Sequence, residues 1–595
     1  REAGAQQARL VVRSLADPAS GAVVLADPAA ATDDAASAVD WYHPSPDGEL
    51  VAFGVSEGGT ENSVLRIARS VDGSLLDDEI PNCRACSVGW EPDGSAFCYS
   101  RYPEGDEYNR TIHHHVLGAD WRDDRVVWDD RPTPQTWPGV TVSNTGRYVL
   151  VEAMVGWQRV DLHLLDRGAD GTGSTWRTLI VGVDAINDGW SFAADDSVLV
   201  GTTTLDAPRG RVVRVDLGGD DLAPTAWRTV VPQGQAVLGR PQLAPGGFFL
   251  SSTLVGVDHV DFVTDGGERR SVGGLGTTSL MGLSVDQHTG TAVAIVNGFD
   301  MPGVVWLVSG AEPVVLHPPL DRRLVPDLDI TQVEYPSLDG TLIPMFLIHR
   351  SGEEPTADTP TILNGYGGFS IIETPVWSPT IAAWCGSGGL YAIAGLRGGA
   401  EYGEEWHDAG RRGNKQNVFD DFATAGDWLV STGRTSRDRL AIAGGSNGGL
   451  LVGATLTQRP DLCRAVWCAV PLLDMVRFPQ FLIARLWTDE YGDPDVAEEF
   501  AWLHAYSPYH RVREGARYPA VLLTTAEGDT RVDPLHARKM AAMLQWAVGD
   551  VPDALPVLLH QEGRAGHGVG KPVGKRAAEQ ADVLAFFSWQ LGHQP

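Results

Sequence analysis

"AIAGGSNGGLL", residues 441–451, runs from an apolar stretch into a glycine cluster with one serine at its centre. Glycine supplies the positive φ angles that turns need, so the cluster by itself fits a flexible loop. Its spacing says more. Gly444-x-Ser446-x-Gly448 matches G-x-S-x-G, an elbow in which a strand turns sharply into a helix and lifts the serine oxygen clear of the backbone. The flanks have the required rhythm. "RLAI" (439–442) reads as a short buried strand, and "GLLVGATLTQRPDL" (449–462) as a helix ending near Pro460.

A serine so placed needs a base and a carboxylate. In an α/β-hydrolase these follow in chain order, acid then histidine, on loops after later strands. "AVLLTTAEGDTRVDP" (520–534) puts Asp529 just past an apolar run, and "PVLLHQEGRAGHGVG" (556–570) puts His567 in a glycine-rich loop past the next. Glu527 and Asp533 flank Asp529, so spacing favours it only mildly. In this reading His567 takes the proton from Ser446 and returns it to the leaving group, while Asp529 orients the imidazole.

The chain around this constellation has two rhythms. From about residue 9 to 325, short β-like runs are broken by Gly, Asp and Pro. A turn followed by an apolar strand recurs in "HPSPDGELVAFGVS" (43), "WEPDGSAFCYSRY" (90) and "VSNTGRYVLVEAM" (142), then in "FAADDSVLVGTT" (192), "LAPGGFFLSSTL" (243) and "VDQHTGTAVAIV" (285). The copies lie roughly 40 to 50 residues apart, the period of propeller blades. With "RLVVRSL…GAVVLAD" at the start they predict seven blades. After "PPLDRRLVPDLD" (318–329) strand and helix alternate: "PTILNGYGGF", "LYAIAGLRGG", helical "NVFDDFATAGDWLVSTG", then "RYPAVLLTTAEGD" and "LHARKMAAMLQWAVG". That alternation predicts a doubly wound, mostly parallel sheet, with the first strand, in "TQVEYPSLDGTLIPMFLIHR", free to pair differently. The boundary falls near Leu324, giving a propeller over 1–324 and a catalytic domain over 325–595.

Composition narrows the partners. A net charge of −31 over 595 residues argues against nucleic acid, which needs clustered Lys and Arg, and reads as solubility. There is no unbroken apolar run of membrane-spanning length. Six cysteines in so long a chain make no disulfide framework, and Cys83-x-x-Cys86 lacks the second pair of a zinc site. His113, His114 and His115 stand on a strand-like run that sends neighbours to opposite faces, so metal is not expected there either. No cofactor is expected. "REAGAQQARL" has no signal-peptide core and does not begin with Met, which leaves the compartment weakly constrained.

From about Ser337 to Gln594 the sequence closely resembles the prolyl oligopeptidase family of serine peptidases. The resemblance rests on "GGSNGGLL", "NGYGGF", "LRGGAEYGEEWHDAG", "KQNVFDDF" and "AGHGVGKP" together. It implies Ser446, Asp529 and His567 as the triad, with an oxyanion hole from the Tyr366 hydroxyl and the Asn447 backbone N–H. "IARLWTDEYG" (483–492) resembles the segment whose tryptophan, here Trp487, stacks on the proline ring. Phe369, Ile483, Tyr491, Val532 and Asn447 match other pocket positions, and Leu472 a more variable one. Arg531 matches the arginine that holds a substrate carbonyl, while Asp489 and Glu490 do not line the pocket in the resemblance. Proline lacks an N–H and carries a rigid ring, so an aromatic slot without a charged wall suits it.

Two departures stand out: Ala400 replaces a common third glycine after Arg397, and the family's N-terminal segment before the propeller is absent from this sequence. The expected protein is a monomeric, cytoplasmic prolyl endopeptidase acting on short proline-containing peptides, with a periplasmic or secreted location left open. Its alternatives are peptide transfer from the same acyl-enzyme to give a cyclic product, a related oligopeptidase preferring basic residues, and a propeller scaffold with a dead hydrolase domain.

Overall fold

The computed structural model describes residues 4–17, 20–31, 37–168, 173–273, 276–308, 314–317, 325–568 and 570–594. The boundary expected at Leu324 lies outside the described residues.

Six four-stranded antiparallel sheets follow one another between Ser37 and His317, each made of strands consecutive in the chain. Each of the six sequence copies is the turn between the first and second strand of one sheet; "HPSPDGELVAFGVS" joins Ser37–Pro44 to Leu50–Glu57. The apolar alternation of these strands fills the gaps between neighbouring sheets, as where Tyr148, Leu150 and Leu164 meet Trp190, Phe192 and Val213. The expectation of seven blades is corrected to six. "RLVVRSL…GAVVLAD" forms only a two-stranded sheet, Leu10–Val12 with Val23–Ala26, whose Leu25 packs on Val51, Phe53 and Ala68 of the first blade. Two apolar runs supply two strands, half of what a blade needs. "TIHHHV" is a strand, and its alternation separates the histidines: His115 sits buried between Asp78 and Asp124, each at 2.9 Å, while His114 faces Glu91.

The second half is one eight-stranded sheet. Its strands are β1 (Leu328–Pro336), β2 (Leu342–Arg350), β3 (Thr361–Gly365), β4 (Leu390–Ala394), β5 (Leu440–Gly445), β6 (Ala465–Ala469), β7 (Ala520–Ala526) and β8 (Val557–Glu562), in the order β1-β2-β4-β3-β5-β6-β7-β8. β1 and β2 pair antiparallel, as do β2 and β4, and every later pair is parallel.

Period-two alternation in these strands feeds two cores. Leu363, Ile442 and Leu523 face one side, under α2 (Gln416–Ser431), α3 (Asn447–Gln458) and α4 (Leu535–Val548). Ile362, Ala441 and Leu522 face the other, under α1 (Pro379–Gly386) and α5 (Val573–Leu591). A parallel sheet buried on both faces is what its near-continuous apolar strands require. No helix among the described residues is long and apolar enough to cross a membrane.

All six blades touch this half at the hairpin of their second and third strands. Thr530 Oγ1 donates to the Thr60 carbonyl (2.8 Å), Tyr108 Oη to the Leu482 carbonyl (3.0 Å) and the Trp157 N–H to Asp489 Oδ2 (3.0 Å). The Glu404 N–H donates to the Pro208 carbonyl (2.8 Å), Gln332 Nε2 to the Val255 carbonyl (2.6 Å) and the Trp377 N–H to Asn297 Oδ1 (3.0 Å). One approach is backbone to backbone: a Cβ added to Gly59 would stand 2.3 Å from the Gly566 nitrogen, next to His567.

Candidate active site

Ser446 occupies the corner between β5 and α3 at φ +59° and ψ −118°. A side chain rarely adopts positive φ, and such strain, of order 1–3 kcal/mol, persists where the surroundings over-determine it. Here they do. The Ser446 N–H donates to the Ala469 carbonyl at 2.9 Å, and a Cβ on Gly444 would stand 2.2 Å from the Gly448 carbonyl oxygen. The glycines are there because strand and helix nearly touch.

Asp529 and His567 come from the loops after β7 and β8. His567 Nδ1 lies 2.7 Å from Asp529 Oδ2, and the other carboxylate oxygen accepts the Arg531 and Val532 N–H groups at 2.9 Å each. The carboxylate is fully buried. The competing acids are placed elsewhere: Asp533 Oδ1 accepts the Leu535 N–H at the start of α4, and Glu527 is exposed. With its Nδ1 beside a carboxylate, the imidazole holds that proton and leaves Nε2 as the basic nitrogen.

Tyr366 follows β3 directly, with its hydroxyl near Ser446; burial pushes the phenol up to about 12, so it stays a donor at any working pH. Asn447 begins α3, where the first backbone N–H groups have no partner within the helix. Its side chain is structural: Nδ2 donates to the Tyr366 carbonyl (2.6 Å) and Oδ1 accepts from Tyr491 Oη (2.8 Å).

Ser446, His567 and Tyr366 open into one cavity of about 610 Å³ between the two halves. Its catalytic-half wall includes Phe369, Leu472, Ile483, Trp487, Tyr491 and Arg531. Phe369 stands edge-on to Tyr491 (5.5 Å between ring centres) and to Trp157 (5.0 Å). Three positions differ from the expectation. Val532 and Asn447 do not line the cavity; both are buried, Val532 in the core of the second half. Asp489 does line it, though its carboxylate is engaged by the Trp157 N–H.

The propeller supplies a wall that sequence reasoning missed: Glu61, Arg84, Trp137, Met154 and Trp157. Glu61 Oε2 is shared by Arg531 Nε (2.9 Å) and Arg84 Nη2 (3.1 Å), so this carboxylate too is paired. Glu61, Arg84 and Trp157 sit in loops and Trp137 and Met154 in blade strands, and nothing short of the fold would have singled them out.

Residues 376–594 match the model of the prolyl oligopeptidase family, and residues 1–308 that of the prolyl oligopeptidase N-terminal β-propeller domain. The prolyl endopeptidase of Elizabethkingia meningoseptica is 30% identical over 564 residues, covering 92% of this chain and 77% of the relative. The chain belongs to the prolyl oligopeptidase family.

Other members of the prolyl oligopeptidase family lie at similar distance. The dual function macrocyclase-peptidase POPB of Galerina marginata is 30% identical over 591 residues, covering 92% of this chain and 78% of that one. A structure from a mechanistic study of two prolyl endopeptidases superposes with a TM-score of 0.92 at 34% identity, over 99% of this chain and 87% of the other. Galerina prolyl oligopeptidase B bound to a 35-residue hydrolysis and macrocyclisation substrate superposes at 0.91 with 27% identity, over 100% of this chain and 86% of the other.

Proposed function

We propose that this protein is a serine endopeptidase that cleaves short peptides on the carboxyl side of proline, using an α/β-hydrolase domain that begins at residue 325 and is capped by the propeller. The observation that carries the reading is His567, paired with Asp529, facing the same cavity as a serine held at a strained elbow.

In the proposed reaction Ser446 Oγ attacks the carbonyl carbon of the proline residue as its proton passes to His567 Nε2. The oxyanion that forms accepts from Tyr366 Oη and the Asn447 N–H. Its collapse expels the amine, which takes the proton from His567 and leaves the acyl group on Ser446. Water, deprotonated by the same imidazole, then releases the acid. The proline ring lies on Trp487, flanked by Phe369 and Tyr491, and Arg531 holds an upstream carbonyl. Of the two carboxylates on the cavity wall, Glu61 is paired with Arg531 and Arg84 and Asp489 accepts the Trp157 N–H, which disfavours a basic residue in the slot.

We place the protein in the cytoplasm as a monomer. Its six cysteines are all buried free thiols, which suits a reducing compartment. A second reading, transfer of the acyl group to a peptide amine, is favoured by the likeness to a dual function macrocyclase-peptidase; product mass distinguishes the two.

Two substitutions test the assignments. Tyr366→Phe is expected to lower kcat by roughly 10²- to 10³-fold with little change in KM, because the hydroxyl bond strengthens as the oxyanion forms. Steady-state kinetics on one proline peptide reads this, and an unchanged kcat removes Tyr366 from the mechanism. Trp487→Ala is expected to cost roughly 10- to 200-fold in kcat/KM for cleavage after proline, the worth of one apolar contact. Reaction with a small activated ester should hardly change. A variant that kept its full proline preference, against an alanine peptide of equal length, would end the prolyl assignment.

A further inference from the structure

Three buried side chains from separate stretches meet behind the cavity rather than on its wall. "LRGGAEYGEEWHDAG" supplies His407, "KQNVFDDF" supplies Lys415 and "IARLWTDEYG" supplies Glu490; all three side chains are buried. Glu490 Oε2 lies 2.7 Å from His407 Nε2, and Glu490 Oε1 accepts from Lys415 Nζ at 3.4 Å. None of them lines the cavity, and the reaction described above uses none of them.

The same ion pair has backbone partners. Lys415 Nζ donates to the Gly367 carbonyl at 2.8 Å, and Glu490 Oε1 accepts the Phe369 N–H at 3.2 Å. An ammonium takes the carbonyl and a carboxylate takes the amide, on either side of Gly368. This turn is contorted: Gly367, Phe369 and Ser370 have φ of +62°, +60° and +54°. Glycine tolerates such angles, whereas Phe and Ser hold them only when neighbours leave no alternative. A Cβ on Gly368 would stand 2.7 Å from Asn447 Nδ2, so the turn is also pressed against the start of α3.

The charges keep each other. Burial works against an ionised Glu490, but Lys415 and His407 hold its carboxyl below the usual range. Burial likewise opposes a charged His407, yet Glu404 and Glu490 lift the ring to about 9. A buried ion pair is weak evidence of stability, since apolar residues of the same volume often serve better. What apolar residues cannot supply is a donor for Gly367 and an acceptor for Phe369.

We propose that Glu490 and Lys415 are positioning residues for the reaction: they hold the Tyr366–Ser370 turn in its strained form, which sets the Tyr366 hydroxyl at the oxyanion. This rests on the role proposed above for Tyr366. A neutral or shortened partner lets the turn relax toward ordinary φ values, and the hydroxyl withdraws from Ser446 although the catalytic groups are intact.

The experiment is a pair of double-mutant cycles, Glu490→Gln and Lys415→Met, each alone and combined with Tyr366→Phe, with kcat and KM measured on one proline-containing peptide. Misplacing a donor by an ångström is worth roughly 10- to 100-fold, so each single variant should lose that much kcat with KM within about threefold. In the Tyr366→Phe background each should cost less than about threefold more, because the group they position is already gone. A residue that merely supports the fold would multiply its loss with that of Tyr366→Phe.

Losses that multiply, or folded single variants with full kcat, overturn the proposal while leaving Tyr366 in place. Full activity of Tyr366→Phe alone removes the role of Tyr366 and this proposal with it. Should Glu490→Gln fail to fold, Lys415→Met, in which Glu490 keeps His407, carries the same comparison; failure of both to fold assigns the pair to stability and also overturns the proposal.

Discussion

Ser446→Ala is expected to lower kcat by about 10⁶-fold, because removing the nucleophile of a triad costs nearly as much as removing the whole set. The fold should survive it. Ser446 is only partly buried, and its strained corner is held by the Ala469 carbonyl and by close glycine contacts that alanine leaves untouched. The variant should therefore bind peptide as the parent does, unfold at the same temperature and fail to react with a fluorophosphonate. Labelling of the variant would mean that another residue is the nucleophile.

Asp529→Asn is expected to cost about 10⁴-fold in kcat through the histidine rather than through the fold. The Arg531 and Val532 N–H groups both point at Oδ1, so the amide oxygen of asparagine must take that place. The amide NH₂ is then left facing His567 Nδ1 and donates to it. That fixes the tautomer with the proton on Nε2, where it cannot accept one from Ser446. Asp533→Asn is the control. Its carboxylate only holds the Leu535 N–H, and its kcat should stay within a few-fold of the parent. Greater damage from Asp533→Asn, measured as kcat/KM on the same peptide, would make Asp533 the acid.

The elbow was legible because its chemistry is local: a serine at positive φ between touching elements leaves glycines at fixed spacing, whatever surrounds it. The order of acid and histidine was legible for a similar reason, since parallel strands deliver their loops to one end of a sheet in chain order. Blade turns were legible one by one, but their number was not. A count of apolar runs cannot tell a sheet of four strands from the two-stranded piece at Leu10–Val12 and Val23–Ala26.

The cavity was half legible. Trp487, Phe369 and Tyr491 lie in motifs of the catalytic half, whereas Glu61 meets Arg531 from 470 positions away, and no pattern along a chain encodes such a meeting. Asn447, Asp489 and Val532 differ from expectation because exposure to a cavity depends on which way the chain faces, and adjacent residues such as Arg531 and Val532 differ in that. The cluster of His407, Lys415 and Glu490 was visible only as three separate signatures.

The contact between Gly59 and Gly566 gives the molecule a property that belongs to neither half. The hairpin carrying Gly59 rests on the loop of His567, and its next residue but one, Glu61, holds the arginine that follows Asp529 by two positions. Any peptide filling the cavity touches both halves and so adds to the free energy that keeps them together. Linkage makes the effect mutual. A molecule that wedged this hairpin outward would weaken peptide binding by the same factor by which bound peptide resists the wedge. An inhibitor of this enzyme therefore has no need to resemble a substrate or to enter the cavity at all: the seam between the first blade and the His567 loop is a handle on it.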